Sequence, residues 1–259
     1  MLFETFRSLS GYLSYDVHQN LVFPEHIHAS LEFYCLSRGS ARCRVAGVEY
    51  DLREGEALLI LPYEIHSYVE SHDSEGIMFI FSPDLVPEFV SLLRCSCLAS
   101  PLFTPDPSLM EYAPEEDSRL RRIGRLYLIC DEAVRQNGLV PAVPGDALLT
   151  KRVAAYIDAH YTGAVSLHAM AQELGYHYNY LSSFINDTFS CGFTDLVNRF
   201  RVSRAVMLLR TSGQSVTEIS AQCGFGSTRS MDRAFQKTLG MAPREAASSR
   251  LPIFRALEG

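Results

Sequence analysis

The chain has 259 residues, 47% of them apolar, and a formal net charge of −7. That apolar share can fill sizeable cores and excludes a disordered chain, and the length fits two domains better than one. No apolar run approaches the roughly 18 residues of a membrane span, and the opening Met1-Leu-Phe-Glu-Thr-Phe-Arg7 lacks the layout of a signal peptide, so a cytoplasmic protein is expected.

The charge is unevenly spread. Residues 1–145 carry a net −10 and residues 146–259 a net +3. An acidic first half joined to a basic second half hints at nucleic-acid binding by the second. Seven cysteines show no metal-type paired spacing. Cys95 and Cys97 are the only close pair, and free thiols packing as small apolar groups are expected.

From Leu13 to about Phe81 the pattern is strand-like. Leu31–Leu36 is rich in β formers, Ala41–Val45 alternates with Arg42 and Arg44 on one face, and Val48–Leu52 alternates again after Ala46-Gly47. Ala57–Leu61 and Ile77–Phe81 read as buried strands. Short strands at regular spacing predict a small barrel or jelly roll.

His26, His28 and Glu32 are expected on one early strand, sharing a face at period two. Glu32 is followed by six residues and then Gly39, and downstream Gly55 leads to Pro62 and His66. The arrangement resembles the cupin signature. The resemblance implies that His26, His28, Glu32 and His66 are the positions from which a divalent transition metal would be held. Three imidazoles and a carboxylate suit such an ion. The alternatives are that these four line a pocket for an organic effector, or serve structure alone. Two departures stand out: Asn20 occupies the position of a usual glycine, and Tyr63 and Glu64 stand where a glycine is common. Arg38, Arg42 and Arg44 could add positive charge for an anionic or hydroxylated effector, with solvated strand faces the alternative for Arg42 and Arg44.

After Phe81 helical spacing takes over. Leu85–Arg94 predicts a short helix, Cys95–Pro114 a loop, and Glu115–Arg135 a helix with Leu120, Ile123, Tyr127, Cys130 and Val134 inward. These helices either close the barrel or dimerise. Residues 137–145, with two prolines and two glycines, are the expected linker between domain 1–136 and domain 146–259.

The second domain reads as all helix. Asp146–Tyr161 opens it. Ser166 caps a short helix ended by Gly175, and Tyr178–Phe189 follows with Leu181, Phe184, Ile185 and Phe189 inward. Gly192–Thr211 predicts one helix of about 30 Å, close to the roughly 34 Å between successive major-groove faces on one side of B-DNA. The plan then repeats. Ile219 and Cys223 mark a short helix, Gly224 turns the chain, and Ser227 caps a helix whose inward stripe is Met231, Ala234, Phe235 and Leu239. Each unit is a helix-turn-helix.

Residues 146–250 are similar to the DNA-binding domain of the AraC/XylS family of transcription regulators, on Ala171, Leu174, Gly175, Leu181, Phe184, Gly192, Arg201, Ala205, Leu208-Leu209, Ile219, Gly224-Phe225, Ser227, Arg233, Phe235, Gly240 and Pro243. A cupin-like sensor ahead of it is the family's common arrangement. The resemblance implies an α+β chain: an N-terminal cupin-like β-barrel with flanking helices, then two helix-turn-helix units joined by a long linker helix. Base-reading positions carry over to Asn179, Ser182 and Ser183 in the first unit and to Thr228, Arg229, Ser230 and Arg233 in the second. Asn can pair with adenine and Arg with guanine. The first unit has no reading arginine, and His177 replaces a usual capping serine.

The expected function is a ligand-responsive, sequence-specific transcription regulator, not an enzyme, with no catalytic residue and no cofactor required. A divalent metal in the cupin pocket remains open. Effector contacts are expected from His26, His28, Glu32, Arg38 and His66, with a sugar or other polar metabolite as the class. Double-stranded DNA, a small-molecule effector and a second copy of the chain are the expected partners, and no membrane. The alternative is a metal-dependent cupin enzyme carrying a nucleic-acid-binding module.

Overall fold

In the computed structural model, residues 2–3, 11–111, 117–142 and 145–248 are described. The Glu115 start of the expected second helix, Val143-Pro144 of the expected linker and the end of the second domain at Arg250 lie outside these. The described residues fall into two compact units, one over residues 11–151 and the other over residues 152–248 with Leu2–Phe3.

The first unit is an antiparallel barrel. Its strands are β1 (Leu13–Gln19), β2 (Phe23–Ile27), β3 (Leu31–Val45), β4 (Val48–Arg53), β5 (Ala57–Ile60) and β6 (His66–Phe81). All neighbours pair antiparallel. β6 pairs with β1, β2 and β3, and β3 pairs with β4 and β5. The two long strands are a correction to the reading above, which expected each as shorter pieces. Leu31–Leu36 and Ala41–Val45 are one strand of 15 residues, bent through register shifts between Leu36 and Ser40. Gly39 makes this possible. Its φ is +81°, and a Cβ there would lie 2.5 Å from the Asp73 carbonyl oxygen on β6. Only glycine allows two backbones to approach so closely. The stretch of β6 from Val69 to Asp73 is mostly exposed and polar, so the pattern carries no apolar stripe there.

Period-two alternation sorts β3 into two faces. Leu31, Phe33 and Cys35 join a core formed against α1 (Pro87–Leu92) and α2 (Arg119–Asn137), through Phe89, Leu126, Ile129, Cys130 and Ala133. Tyr34 and Leu36 point the other way, into a barrel interior shared with Leu58, Ile60, Tyr68, Met78 and Ile80. The inward face of α2 differs from expectation. Leu120 is 83% exposed; the helix is capped by Ser118, so Leu120 lies in its first turn. Within the expected loop, β7 (Ser96–Leu98) and β8 (Leu102–Phe103) form. The expected linker begins with the end of α2 and holds β9 (Leu139–Pro141), which pairs with β7. All seven cysteines are free.

The second unit is helical. α3 (Asp146–His160) leads into it, followed by α4 (Leu167–Leu174), α5 (Tyr178–Phe189), α6 (Phe193–Thr211), α7 (Val216–Gln222), α8 (Thr228–Leu239) and α9 (Pro243–Ser248). The 19 residues of α6 span about 28 Å. Its buried side chains include Leu196, Val197, Phe200, Val202, Ala205, Val206, Met207 and Leu208. A helix covered on several sides shows no single apolar face.

Candidate functional site

The first candidate site lies at one end of the barrel. His26 and His28 are not on a single strand with Glu32, as the period-two reading had it. His26 lies on β2, His28 in the turn after it, and Glu32 on β3. The turn and the β2–β6 pairing, which sets His26 opposite His66, bring the four together instead. Their potential ligand atoms all lie within 4.8 Å of one another, and all four residues are buried. His28 Nε2 is 3.1 Å from Glu32 Oε2, and His66 Nε2 is 3.6 Å from Glu32 Oε1. The rings of His26 and His66 are 3.9 Å apart at their centroids.

The other nitrogen of each ring is engaged in the same way. His26 Nδ1 lies 3.0 Å from the Pro24 carbonyl oxygen, His28 Nδ1 3.1 Å from that of Ser30, and His66 Nδ1 2.8 Å from that of Glu64. A carbonyl can only accept, so each Nδ1 carries the proton and Nε2 is the nitrogen left for an ion; the Glu32 oxygen 3.1 Å from His28 Nε2 also only accepts, so that nitrogen donates to Glu32 here and would give up its proton to take an ion. Carbonyls used in this way fix the tautomer and ring orientation that a metal ligand requires. The Tyr68 hydroxyl donates to Glu32 Oε1 at 2.5 Å. Burial, with the Glu32 carboxylate beside it, pushes the Tyr68 phenol well above its ordinary range, so it stays a donor. Two ligands on opposite sides of one ion, each at about 2.1 Å, sit about 4.2 Å apart. The four donors therefore fit a divalent ion with small side-chain adjustments. Tyr68 was missed in the sequence, because nothing local places a residue 36 positions away beside Glu32.

Arg38 is not part of this cluster. It is exposed, six residues along β3 from Glu32, or about 20 Å of strand. Arg42 and Arg44 are on the water-facing side, paired with Asp51 and Glu70 and with Glu49. Their strand-face alternative is the arrangement found.

The second candidate site is built from the two helix-turn-helix units. Ser227 caps α8, accepting from the Ser230 N–H, and Ser230 answers by accepting from the Ser227 N–H. The Ser230 hydroxyl also donates to the Ser227 carbonyl at 2.7 Å. Its one hydroxyl proton is used in the cap, which leaves Ser230 an accepting lone pair. Met231, Ala234 and Phe235 face inward. Arg229 and Arg233 face outward, and among the described residues no carboxylate pairs with either. Lys237 is tied to both carboxylate oxygens of Asp195 at 2.7 Å, holding α8 against α6. Thr228 is half-buried at the first turn.

In the first unit, His177 does act as the cap of α5, its Nδ1 accepting from the Asn179 N–H at 3.3 Å. Asn179 and Ser183 are exposed and Ser182 half-buried. Beside them stands an aromatic ladder, Tyr176, Tyr180 and Phe184, with successive centroids 5.6 and 6.4 Å apart. Tyr178 and Tyr180 are both exposed.

The second unit also shows why its turn is tight. Gly224 has φ +77°, and a Cβ there would lie 2.5 Å from the Tyr161 carbonyl oxygen and 2.6 Å from that of Thr162. The Arg201 side chain donates to the Tyr161 and Gly163 carbonyls, and its guanidinium lies over the Phe225 ring. The end of α3 is thereby clamped to the turn.

These two sites fall in two regions that known proteins also carry. An AraC-like ligand-binding domain matches residues 10–122, and a helix-turn-helix domain matches residues 170–249. The chain belongs to the AraC family of transcription regulators. It is similar to the HTH-type transcriptional activator RhaS of Escherichia fergusonii, 22% identical over 246 residues and covering 88% of each chain. RhaS of Salmonella paratyphi A is 22% identical over 251 residues, covering 90% of each. Among solved structures, ToxT from Vibrio cholerae with a bound unsaturated fatty acid superposes with a TM-score of 0.57. It shares 13% identity, over 93% of this chain and 96% of that one. A second ToxT structure gives 0.54 at 14% identity, over 91% and 97%. At that identity the likeness concerns the fold. This AraC-family chain is thus a ligand-responsive, sequence-specific DNA-binding transcription regulator. Among the described residues no helix is long and apolar enough to cross a membrane.

Proposed function

We propose that this AraC-family regulator reads its operator chiefly through Arg229 and Arg233 on α8, with Thr228 beside them and Asn179, Ser182 and Ser183 on α5 making a second set of contacts. The observation that carries the reading is the pair of outward, carboxylate-free arginines on a capped helix whose other face is buried. Arginine reaches the O6 and N7 of guanine in bidentate fashion in the major groove. Selecting a duplex from a random pool with the full chain, then measuring its affinity at fixed salt for Arg229→Ala and Arg233→Ala, tests it. Unchanged affinity in both variants removes these residues from the reading surface.

His26, His28, Glu32 and His66 would hold one divalent transition metal. The support is the chemistry of the donor set, three imidazoles and one carboxylate, with each imidazole already oriented by a backbone carbonyl. When bound, such an ion supplies a strong positive charge that balances the buried carboxylate and ties β2, β3 and β6 together at one end of the barrel. Its role is regulatory, and the protein is not an enzyme. Metal analysis of the purified chain, with a search for turnover, separates this from the enzyme alternative.

A small-molecule effector, a sugar or another polar metabolite, completes the reading, in a cytoplasmic homodimer. Leu128, exposed midway along α2, is the apolar side chain on which self-association is tested. Sedimentation of a Leu128→Lys variant tests it: a monomer is expected where the parent is a dimer.

A further inference from the structure

Glu64 occupies one of the two positions where the chain departs from the cupin pattern, and its three polar connections run in three directions. Its carbonyl accepts from His66 Nδ1 at 2.8 Å. Its Oε2 accepts from the Leu61 N–H at 2.9 Å, which closes the loop between β5 and β6. Its Oε1 accepts from Lys151 Nζ at 2.7 Å. Lys151 is the last residue of the first unit and lies on α3, the helix that runs on to His160.

The same loop touches the cluster a second time. The Tyr63 N–H donates to the His28 carbonyl at 2.8 Å, with Tyr63 held at φ +60°. A tyrosine in the left-handed region is uncommon and persists only where its surroundings hold it. Two of the four cluster residues, His28 and His66, are therefore bonded directly to adjacent residues of one short, strained loop. The ion pair that leaves this loop is partly shielded, with side-chain exposures of 24% for Lys151 and 14% for Glu64. It stands in the wall of a cavity of about 250 Å³, lined also by Tyr50, Leu59, Leu61 and Leu148. The pair thus has room to separate without unpacking the core, as an element with two arrangements must.

We propose that Glu64 is the positioning residue that couples occupancy of the His26–His28–Glu32–His66 cluster to α3. Seating an ion on His66 Nε2 draws on the imidazole whose opposite nitrogen is bonded to the Glu64 carbonyl. The carboxylate of the same residue then holds or releases Lys151, and with it the start of the helix leading to the DNA-reading half. The inference rests on the metal reading above.

The test uses the full chain and zinc(II) alone. Zinc stoichiometry, and operator affinity with and without zinc, are measured for the parent, Glu64→Gln, Lys151→Met and the double variant. The operator is a duplex selected from a random pool. The glutamine keeps an acceptor for the Leu61 N–H and removes only the charge. In the parent, zinc should change operator affinity by at least about fivefold, the low end of ordinary coupling, and operator should change zinc affinity by the same factor. In either single variant the ratio should fall to within twofold while one zinc per chain is still bound. In the Glu64→Gln background Lys151→Met should change nothing further. Circular dichroism checks that each variant is folded. Variants that keep the parental ratio overturn the proposal, and so does a zinc-loaded parent with unchanged operator affinity, which leaves the metal site standing. A parent that binds no zinc overturns both.

Discussion

Gly224→Ala tests how tightly the turn of the second helix-turn-helix unit is held. Two costs add at this position. The backbone sits at φ +77°, where a residue with a Cβ is disfavoured by about 1–2 kcal/mol. The new methyl would also lie 2.5 and 2.6 Å from two backbone carbonyl oxygens. Neither can easily yield, because the Tyr161 oxygen already accepts from Arg201 Nε at 2.8 Å, and forcing extra carbon into a packed site costs about 1–3 kcal/mol. A total of about 2–5 kcal/mol is expected. Gly240 supplies the control: φ is +70°, but nothing lies within 4 Å of its Cβ position, so Gly240→Ala should lose only the conformational share. Urea denaturation followed by circular dichroism, with the slope unchanged, measures both. Operator affinity should fall in the Gly224 variant even where it remains folded, since the turn sets the direction of α8. Equal losses at the two glycines would refute the close approach to α3.

Other outcomes follow from the same geometry. Arg229→Ala and Arg233→Ala should each weaken specific operator binding by about 1–3 kcal/mol, at fixed salt, without lowering thermal stability. Both side chains are exposed and bear no ion pair among the described residues, so a fall in melting temperature would assign them a structural role instead. Tyr68→Phe removes the 2.5 Å donor to a buried carboxylate and should destabilise the first unit by about 1–3 kcal/mol, read by thermal denaturation of the metal-free chain; no change would mean that Glu32 is satisfied without it. Burial pushes the thiols of Cys35 and Cys43 up to about 12 and that of Cys223 up to about 11. Because the thiolate is the reactive form, these three should resist a thiol reagent at neutral pH until the chain is unfolded, while the exposed Cys95 reacts in the native state. Fast native labelling at Cys35, located by peptide mapping, contradicts that burial.

The helical half was largely legible in the amino-acid sequence because its signals are local. Ser166, Ser215 and Ser227 each accept a hydrogen bond from an N–H three residues on, and Gly175 and Gly240 each end a helix in the left-handed region. Caps, turn glycines and inward stripes at spacings of three and four are readable over a dozen residues. α6 too was legible, expected over Gly192–Thr211 and found over Phe193–Thr211; only its burial on more than one side was not.

In the barrel, the sequence by itself singled out His26, His28, Glu32 and His66 by type and spacing. Only the tertiary structure decided how they meet, through a turn and a β2–β6 pairing rather than along one strand. It also separated Arg38 from them, drew Ser230 into a cap, and placed Tyr68 on Glu32, Lys151 on Glu64 and Gly224 under the Tyr161 carbonyl. The physical reason is range. Helix signals arise from neighbours three or four residues apart, whereas these contacts join residues 36, 87 and more than 60 positions apart, and only strand register and helix packing bring such partners together.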